Sequence, residues 1–261
     1  MSNEVSEFQG RIAVVTGAAS GIGAAIAKRF AQAGARIGIV AHENSDGAEH
    51  TLAAVRAAGS DGFVTHADVG DAAAVDRAFE GIAQKLGTAT ILVNDAGIDA
   101  LGKSVIDLSL QEWERAIRTN LTGPFLCTKA FLRGLGDRND AKIINISSVH
   151  EELPRAGAAE YCASKGGLRN FTRCLSLELA PRRINVNGIA PGMILTPMNQ
   201  ADIDDPAKLR ADEDTIPWKR AGKPDEIAEV AFFLASSAAA YVTGSTYVMD
   251  GGLTQNTGQG A

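Results

Sequence analysis

Seven apolar, β-rich runs alternate with Ala-rich helical runs along this chain, and that rhythm constrains the fold more than any single residue does. The strand-like runs cover residues 11–16, 35–41, 62–67, 89–94, 141–147, 183–188 and 245–250. The helical runs cover 21–33, 46–58, 71–86, 110–133, 158–180 and 224–235. Several strand-like runs, such as Ile12-Ala13-Val14-Val15 and Ile91-Leu92-Val93, are apolar at consecutive positions instead of alternating. A strand reads that way when helices cover both of its faces. The alternation predicts an α/β fold, a doubly wound parallel sheet of seven strands with helices on both faces and right-handed crossovers. A chain of 261 residues suffices for one such domain over 1–261. No repeat, low-complexity tract or linker divides it. Residues 201–216 are acidic and aperiodic, which reads as a mobile lid over about 193–216.

Charge and cysteine usage narrow the function. With 25 Lys+Arg against 31 Asp+Glu the chain carries a net charge of −6 and no basic run, which argues against nucleic acid as a partner. Three cysteines without a CxxC pair and four scattered histidines offer no metal-ligand spacing. Residues 230–249 are uncharged, yet Ser236, Ser237, Thr243, Gly244, Ser245 and Thr246 interrupt them. That stretch reads as helix, turn and buried strand, not as a membrane span. The acidic start Met1–Glu7 has no apolar core of a signal peptide, and a cytoplasmic protein is expected.

The first predicted strand runs into Thr16-Gly17-Ala18-Ala19-Ser20-Gly21-Ile22-Gly23 and then a helix. Gly17, Gly21 and Gly23 permit positive φ and close backbone approach, while the helix start at Ser20, Gly21 and Ile22 offers free N–H groups to a pyrophosphate. The same glycines would suit an ordinary tight turn; the flanking strand and helix supply the context of a dinucleotide site. A carboxylate near the end of the second strand would select NAD and a basic group NADP. Ala41 supplies neither, His42 suits a 2′-phosphate and Glu43 opposes one. Asp68 and Val69, after the third strand, could meet an adenine edge, or Asp68 could simply cap a helix. The balance predicts use of both NAD and NADP with a slight lean to NADP, and an acid introduced at Ala41 would shift it toward NAD.

Tyr161 and Lys165 lie four residues apart in a helical run, so their side chains share one face. A phenol is a weak base at neutral pH, and an adjacent ammonium group would lower its pKa and make it a usable acid/base. Tyr-x-x-x-Lys alone is common and is usually a surface pair. Ser148, thirteen residues earlier at a strand end, could bond a substrate oxygen where doubly wound sheets gather ligands. Ser148 with His150 as a hydrolase dyad fails because no Gly-x-Ser-x-Gly elbow surrounds the serine.

Together these residues resemble the short-chain dehydrogenases/reductases. The pattern comprises Thr16-Gly-x-x-x-Gly-x-Gly23, Asn94-Asp95-Ala96-Gly97, Asn120, Ser148, Tyr161-x-x-x-Lys165 and Pro191-Gly192, closing with Tyr241-Val-Thr-Gly244 and Asp250-Gly251-Gly252. Ser148-Val149-His150-Glu151, Thr196-Pro197 and the tail from Gly251 look most like bacterial glucose 1-dehydrogenases. Asp95 departs from the pattern, which usually has a second Asn. The resemblance implies a Rossmann-type fold and an NAD(P)-dependent oxidoreductase, with Tyr161 as acid/base, Lys165 tuning it and binding the nicotinamide ribose, and Ser148 orienting the reacting oxygen. It implies that Asn120 holds a water linking Lys165 to solvent, although a polar residue bridging a helix irregularity near Gly123-Pro124 is the plain alternative. It places Asn94, Ala96 and Gly97 along the adenosine ribose, and Pro191, Gly192, Ile194 and Thr196 along the nicotinamide.

The substrate expectation is a small polar alcohol or carbonyl compound, best a sugar or polyol, with His150 and Asp99 as hydroxyl-binding groups. A 3-oxoacyl thioester or a steroid stays open, because one fold hosts many functions. A protein that binds NAD(P) for regulation without turnover is the rival of another class. A homotetramer is expected, with residues 253–261 touching a neighbouring subunit.

Overall fold

The computed structural model describes residues 7–256. Its single seven-stranded sheet is parallel throughout, in the order β3-β2-β1-β4-β5-β6-β7. The strands are β1 (Ile12–Thr16), β2 (Arg36–Ala41), β3 (Gly62–His66), β4 (Ile91–Asn94), β5 (Lys142–Ile146), β6 (Asn185–Pro191) and β7 (Thr246–Met249). Chain order runs outward from β1 to β3, then restarts beside β1 at β4. The crevice where the order reverses, at the strands' C-terminal ends, is where such sheets bind ligands.

Helices fill both faces because the strands are apolar on both. In β1, Ala13 and Val15 point into one core and Ile12 and Val14 into the other, as the period of two dictates. The first core is closed by α1 (Gly21–Gln32), α2 (Ser45–Ala57) and α9 (Pro224–Ala235), through Ile26, Phe30, Leu52, Ile227 and Leu234. The second is closed by α3 (Ala72–Leu86), α5 (Gly123–Leu135) and α6 (Ala159–Leu179), through Val75, Ile82, Phe131 and Leu175. Phe30 is fully buried with its ring edge-on to Phe8, centroids 5.2 Å apart; truncating such a residue to Ala costs about 3–5 kcal/mol.

Three sequence expectations are corrected. The helix expected over 110–133 is α4 (Leu110–Ile117), a π turn (Arg118–Thr122) and α5. A one-residue bulge of this kind leaves the apolar period on either side intact. The sixth strand starts later than expected and runs on to Pro191, because Arg183 takes a left-handed φ of 54° that turns the chain before it, and Pro191 still pairs with Met249. The segment expected as irregular contains α7 (Gln200–Ile203) and α8 (Pro206–Thr215). Asp205 caps α8 by accepting from Ala207 N at 3.0 Å and Lys208 N at 3.2 Å, and Pro206 stands at its first position. Capping sets this helix without an apolar stripe, since α8 buries no residue fully.

Candidate functional site

The site lies in the crevice between β1 and β4, built from backbone first. Thr16 ends β1, and its Oγ1 accepts from the N–H groups of Asp95 and Ala96, each at 3.1 Å. This clamps the β4 exit against the glycine turn. Gly17 has φ +71° and a Cβ there would fall 2.8 Å from Ala96 N and Cα, so no other residue fits without moving that backbone. Ser20 precedes α1 without a side-chain capping bond. Gly21 packs against the side chain of Thr196, which a Cβ would meet at 3.4 Å. A Cβ on Gly23 would lie 2.6 Å from Asp95 Oδ2, and the Gly23 N–H donates to that carboxylate.

A cavity of about 220 Å³ at one end is lined by Gly17, Ala41, His42, Asp68, Val69, Ala96 and Gly97. Asp68 caps no helix: Oδ1 accepts from Gly70 N at 2.8 Å and Oδ2 from Arg118 Nη2 at 3.0 Å. The cap of α3 is Asp71, accepting from Ala74 N. Two expectations need correction. Asn94 does not reach this cavity: it is buried, and its amide donates to Asn145 Oδ1 at 2.8 Å and Thr128 Oγ1 at 3.3 Å, tying β4 to β5 and α5. Ala41 is 1% exposed in the first core, so an acid there would be buried; His42 is the exposed side chain at the rim, 4.0 Å from Glu43. Arg118, on the π turn, lines the same cavity, and sequence reading missed it.

A second cavity, about 360 Å³, shares Gly97 and Ile98 with the first. Ser148, at the exit of β5, Tyr161 and Lys165, on the first turns of α6, and Pro191, Gly192, Ile194 and Thr196, at the exit of β6, all line it, as do Ile22, His150 and Asp99. The sheet thus gathers residues as distant in sequence as Ile22 and Thr196. Ser148 is buried, accepts from His150 N at 3.2 Å and shares a hydrogen bond with the Tyr161 hydroxyl. Lys165 donates to Ile146 O at 3.0 Å, with Nζ 5.6 Å from the Tyr161 ring centroid. His150 Nδ1 donates to Leu153 O at 2.8 Å, and its ring stands edge-on to Tyr161.

Burial, not charge, dominates the proton affinities. Desolvation pushes the Tyr161 phenol up to about 12, against the lowering effect of the Ser148 hydrogen bond. This corrects the expectation that Lys165 makes the phenol more acidic than usual: the lysine is itself pushed down to about 8 by burial, with Asp95 partly restoring it. Burial likewise raises Asp95 to about 7, opposed by the Lys165 charge and the Gly23 N–H. Asn120 sits in the π turn, where the extra residue turns it inward. Its Nδ2 donates to Ile98 O at 2.9 Å and Ser164 Oγ at 3.2 Å, and its Oδ1 accepts from Ile98 N at 2.8 Å. Both amide protons are committed to the protein, and these bonds tie the π turn to the Ile98 loop and to Ser164 on α6.

Arg155, on the loop between Ser148 and α6, also lines the second cavity and was missed. The sequence signal was a lone cation six residues before Tyr161. The tail begins with a 3₁₀ turn at Leu253–Gln255, and Leu253 faces the cavity of its own subunit; residues 257–261 of the expected subunit contact lie outside the described ones. Among the described residues no group of three His, Cys, Asp or Glu side chains could hold a metal, and no helix is long and apolar enough to cross a membrane.

Comparison with known proteins supplies the family. The model described as enoyl-(acyl carrier protein) reductase matches residues 17–254. The chain is 41% identical over 251 residues to 3beta-hydroxysteroid dehydrogenase 1 of Eggerthella lenta, covering 95% of both chains. It is 36% identical to glucose 1-dehydrogenase 2 of Bacillus subtilis, covering 95% of this chain and 96% of that one. A solved Agrobacterium tumefaciens structure with bound NADP is 33% identical, with a TM-score of 0.87 over 97% of this chain and 99% of that one. The protein accordingly belongs to the short-chain dehydrogenases/reductases and is an NAD(P)-dependent oxidoreductase of that family.

Proposed function

We propose that the protein interconverts a secondary alcohol and its carbonyl on a small polyhydroxylated compound, a sugar or polyol, with Tyr161, Ser148 and Lys165 at the reacting centre. The observation that carries the reading is the hydrogen-bonded Ser148–Tyr161 hydroxyl pair in a cavity whose rim bears Asp99, His150 and Arg155. Polar groups placed to bond hydroxyls reject analogues that lack them. The Bacillus subtilis relative supports a sugar. Fit to a dinucleotide rests on the two cavities joined at Gly97 and on the Gly17 turn, where a Cβ would strike the Ala96 backbone. The first cavity would hold the adenosine end, through His42, Asp68, Val69, Ala96 and Gly97. The start of α1, with Ser20, Gly21, Ile22 and Gly23, would face the phosphates, and Pro191, Gly192, Ile194, Thr196 and Lys165 the nicotinamide end. The bound nucleotide supplies or accepts the hydride. Ser148 orients the substrate oxygen, and Tyr161 gives it a proton in reduction or takes one in oxidation.

His42 at the rim of the first cavity and the NADP-bound neighbour favour NADP with NAD also used. Three free cysteines suit a reducing cytoplasm. One domain does this work over 1–261, assembled as a homotetramer. Large apolar side chains left exposed at Val105, Ile106, Leu110, Trp218, Tyr241 and Val248, together with the open edge of β7, support that assembly.

A steroid is the second reading, favoured by the apolar cavity wall of Met193, Met198, Ile216 and Leu253 and by the Eggerthella lenta relative. A spectrophotometric panel of aldoses, polyols, 3-oxoacyl thioesters and steroids with both nucleotides decides. Turnover led by a sugar or polyol is expected; a steroid or thioester preferred to every sugar refutes the assignment. Tyr161→Phe should lower that turnover by about a hundredfold or more while nucleotide still binds, and unchanged turnover would mean that the chemistry does not use this tyrosine.

A further inference from the structure

The rim of the catalytic cavity holds a cation, Arg155, that hydroxyl binding alone does not account for. Arg155 lines that cavity with a side chain 48% exposed. Its nearest anion is Asp99 Oδ1, 3.9 Å from Nη2, too far for a hydrogen bond. Asp99 Oδ1 already accepts from Ala100 N at 2.7 Å, which holds the carboxylate on its own loop. Among the described residues the Arg155 guanidinium makes no hydrogen bond, so its planar fork of donors is open toward the cavity. Both groups act electrically on the Tyr161 phenol, Arg155 lowering its proton affinity and Asp99 raising it, which puts them within reach of a substrate seated there.

We infer that the substrate carries a carboxylate as well as hydroxyls, and that Arg155 receives the carboxylate while Asp99 accepts from a hydroxyl: a sugar acid or related polyhydroxy acid. The inference rests on the sugar or polyol reading and sharpens it. Guanidinium matches carboxylate geometry with two parallel N–H···O bonds, and a neutral polyol would leave that fork without an equivalent partner. Net charge strengthens the argument: on a chain of −6, an anionic substrate needs a local cation at the mouth of the site. The other cation lining the cavity, Lys165, is buried and bonded to Ile146 O, so it cannot serve at the rim.

D-Gluconate and D-glucitol make a matched pair of probes, alike in length and hydroxyl arrangement and differing in one carboxylate. Wild-type kcat/KM should favour gluconate, tested as a secondary alcohol. In Arg155→Gln the gluconate-to-glucitol ratio of kcat/KM should fall by roughly tenfold to a hundredfold, the worth of a charged hydrogen bond, mainly through a higher gluconate KM. Arg155→Lys, which keeps charge but loses the fork, should recover part of it. Equal use of the two probes by the wild type, or a ratio that survives Arg155→Gln, overturns the inference and leaves the polyol reading standing. Turnover of only steroids or acyl thioesters overturns both.

Discussion

Replacing Asp95 with asparagine tests the electrostatics of the site through stability. The Asp95 carboxyl is raised from 3.8 to about 7 because the cavity wall desolvates it more than Lys165 and the Gly23 N–H can offset. A carboxyl raised in the folded state binds protons that the unfolded chain has already released, so stability falls as pH rises from about 4 to about 7 and is level above that. Three pKa units correspond to about 4 kcal/mol; part of the residue faces solvent in the cavity, which reduces the expected cost to about 2–3 kcal/mol. The amide introduced by Asp95→Asn can still accept from Gly23 N–H and has no charge to desolvate. Losing Asp95 also removes a neighbour that helps keep Lys165 protonated, which takes back part of the gain near neutrality. Asp95→Asn should therefore match the wild type near pH 4, lead it by about a third of the full effect at pH 5, and exceed it near pH 8 by roughly 4–10 °C in Tm for a chain of this size. Thermal unfolding of both proteins at pH 5, 6, 7 and 8, without nucleotide, is the assay. A difference that stays constant with pH, or a variant less stable at pH 8 than at pH 5 relative to the wild type, would refute the reasoning.

Two further outcomes are expected. Both nucleotides should support turnover with kcat/KM somewhat higher for NADP, and His42→Asp should shift the ratio toward NAD by about tenfold or more through repulsion of the 2′-phosphate; strict use of NAD by the wild type would refute the lean. Light scattering at working concentration should give the mass of four chains, and Ile106→Glu, at a position 92% exposed, should halve it; a monomeric wild type would refute the assembly.

The sheet was legible because its strands declare themselves on both faces: Ile12 and Val14 against Ala13 and Val15 need two helical layers, and only a parallel α/β sheet supplies them. The Tyr161–Lys165 spacing was legible because a helix turns it directly into shared-face geometry. What stayed hidden depends on side-chain direction at strand exits, where the period of two lapses. Asn94 and Asp95 are neighbours in one motif, yet Asn94 turns into the β4–β5–α5 contact while Asp95 turns toward α1 and the cavity. Ala41 and His42 divide in the same way between core and rim. The π turn was hidden for another reason. The Ser109–Glu112 capping box starts α4 as an ordinary helix, and the added residue shows only in where Asn120 points.

The proton inventory of the site bears on the direction of chemistry it is built for. Burial acts on Tyr161, Lys165 and Asp95 alike and pushes each toward its neutral form, the phenol to about 12, the ammonium to about 8 and the carboxyl to about 7. At neutral pH the phenol is protonated, and Ser148 is hydrogen-bonded to it at the same oxygen. Such a phenol is a ready donor to the alkoxide that develops when a carbonyl carbon gains a hydride, since an alkoxide is far more basic than a phenolate. As an acceptor it is weak until its proton has left, so oxidation must gain from higher pH while reduction does not. Arg155 works in the acceptor's favour by lowering the phenol's proton affinity, and Asp99 against it. A substrate carboxylate that engages Arg155 would cancel that help and hold Tyr161 in its donor form. The charge at the rim and the proton at the centre are thus one electrostatic system, in which a carboxylate bound at Arg155 would raise the pH at which oxidation sets in.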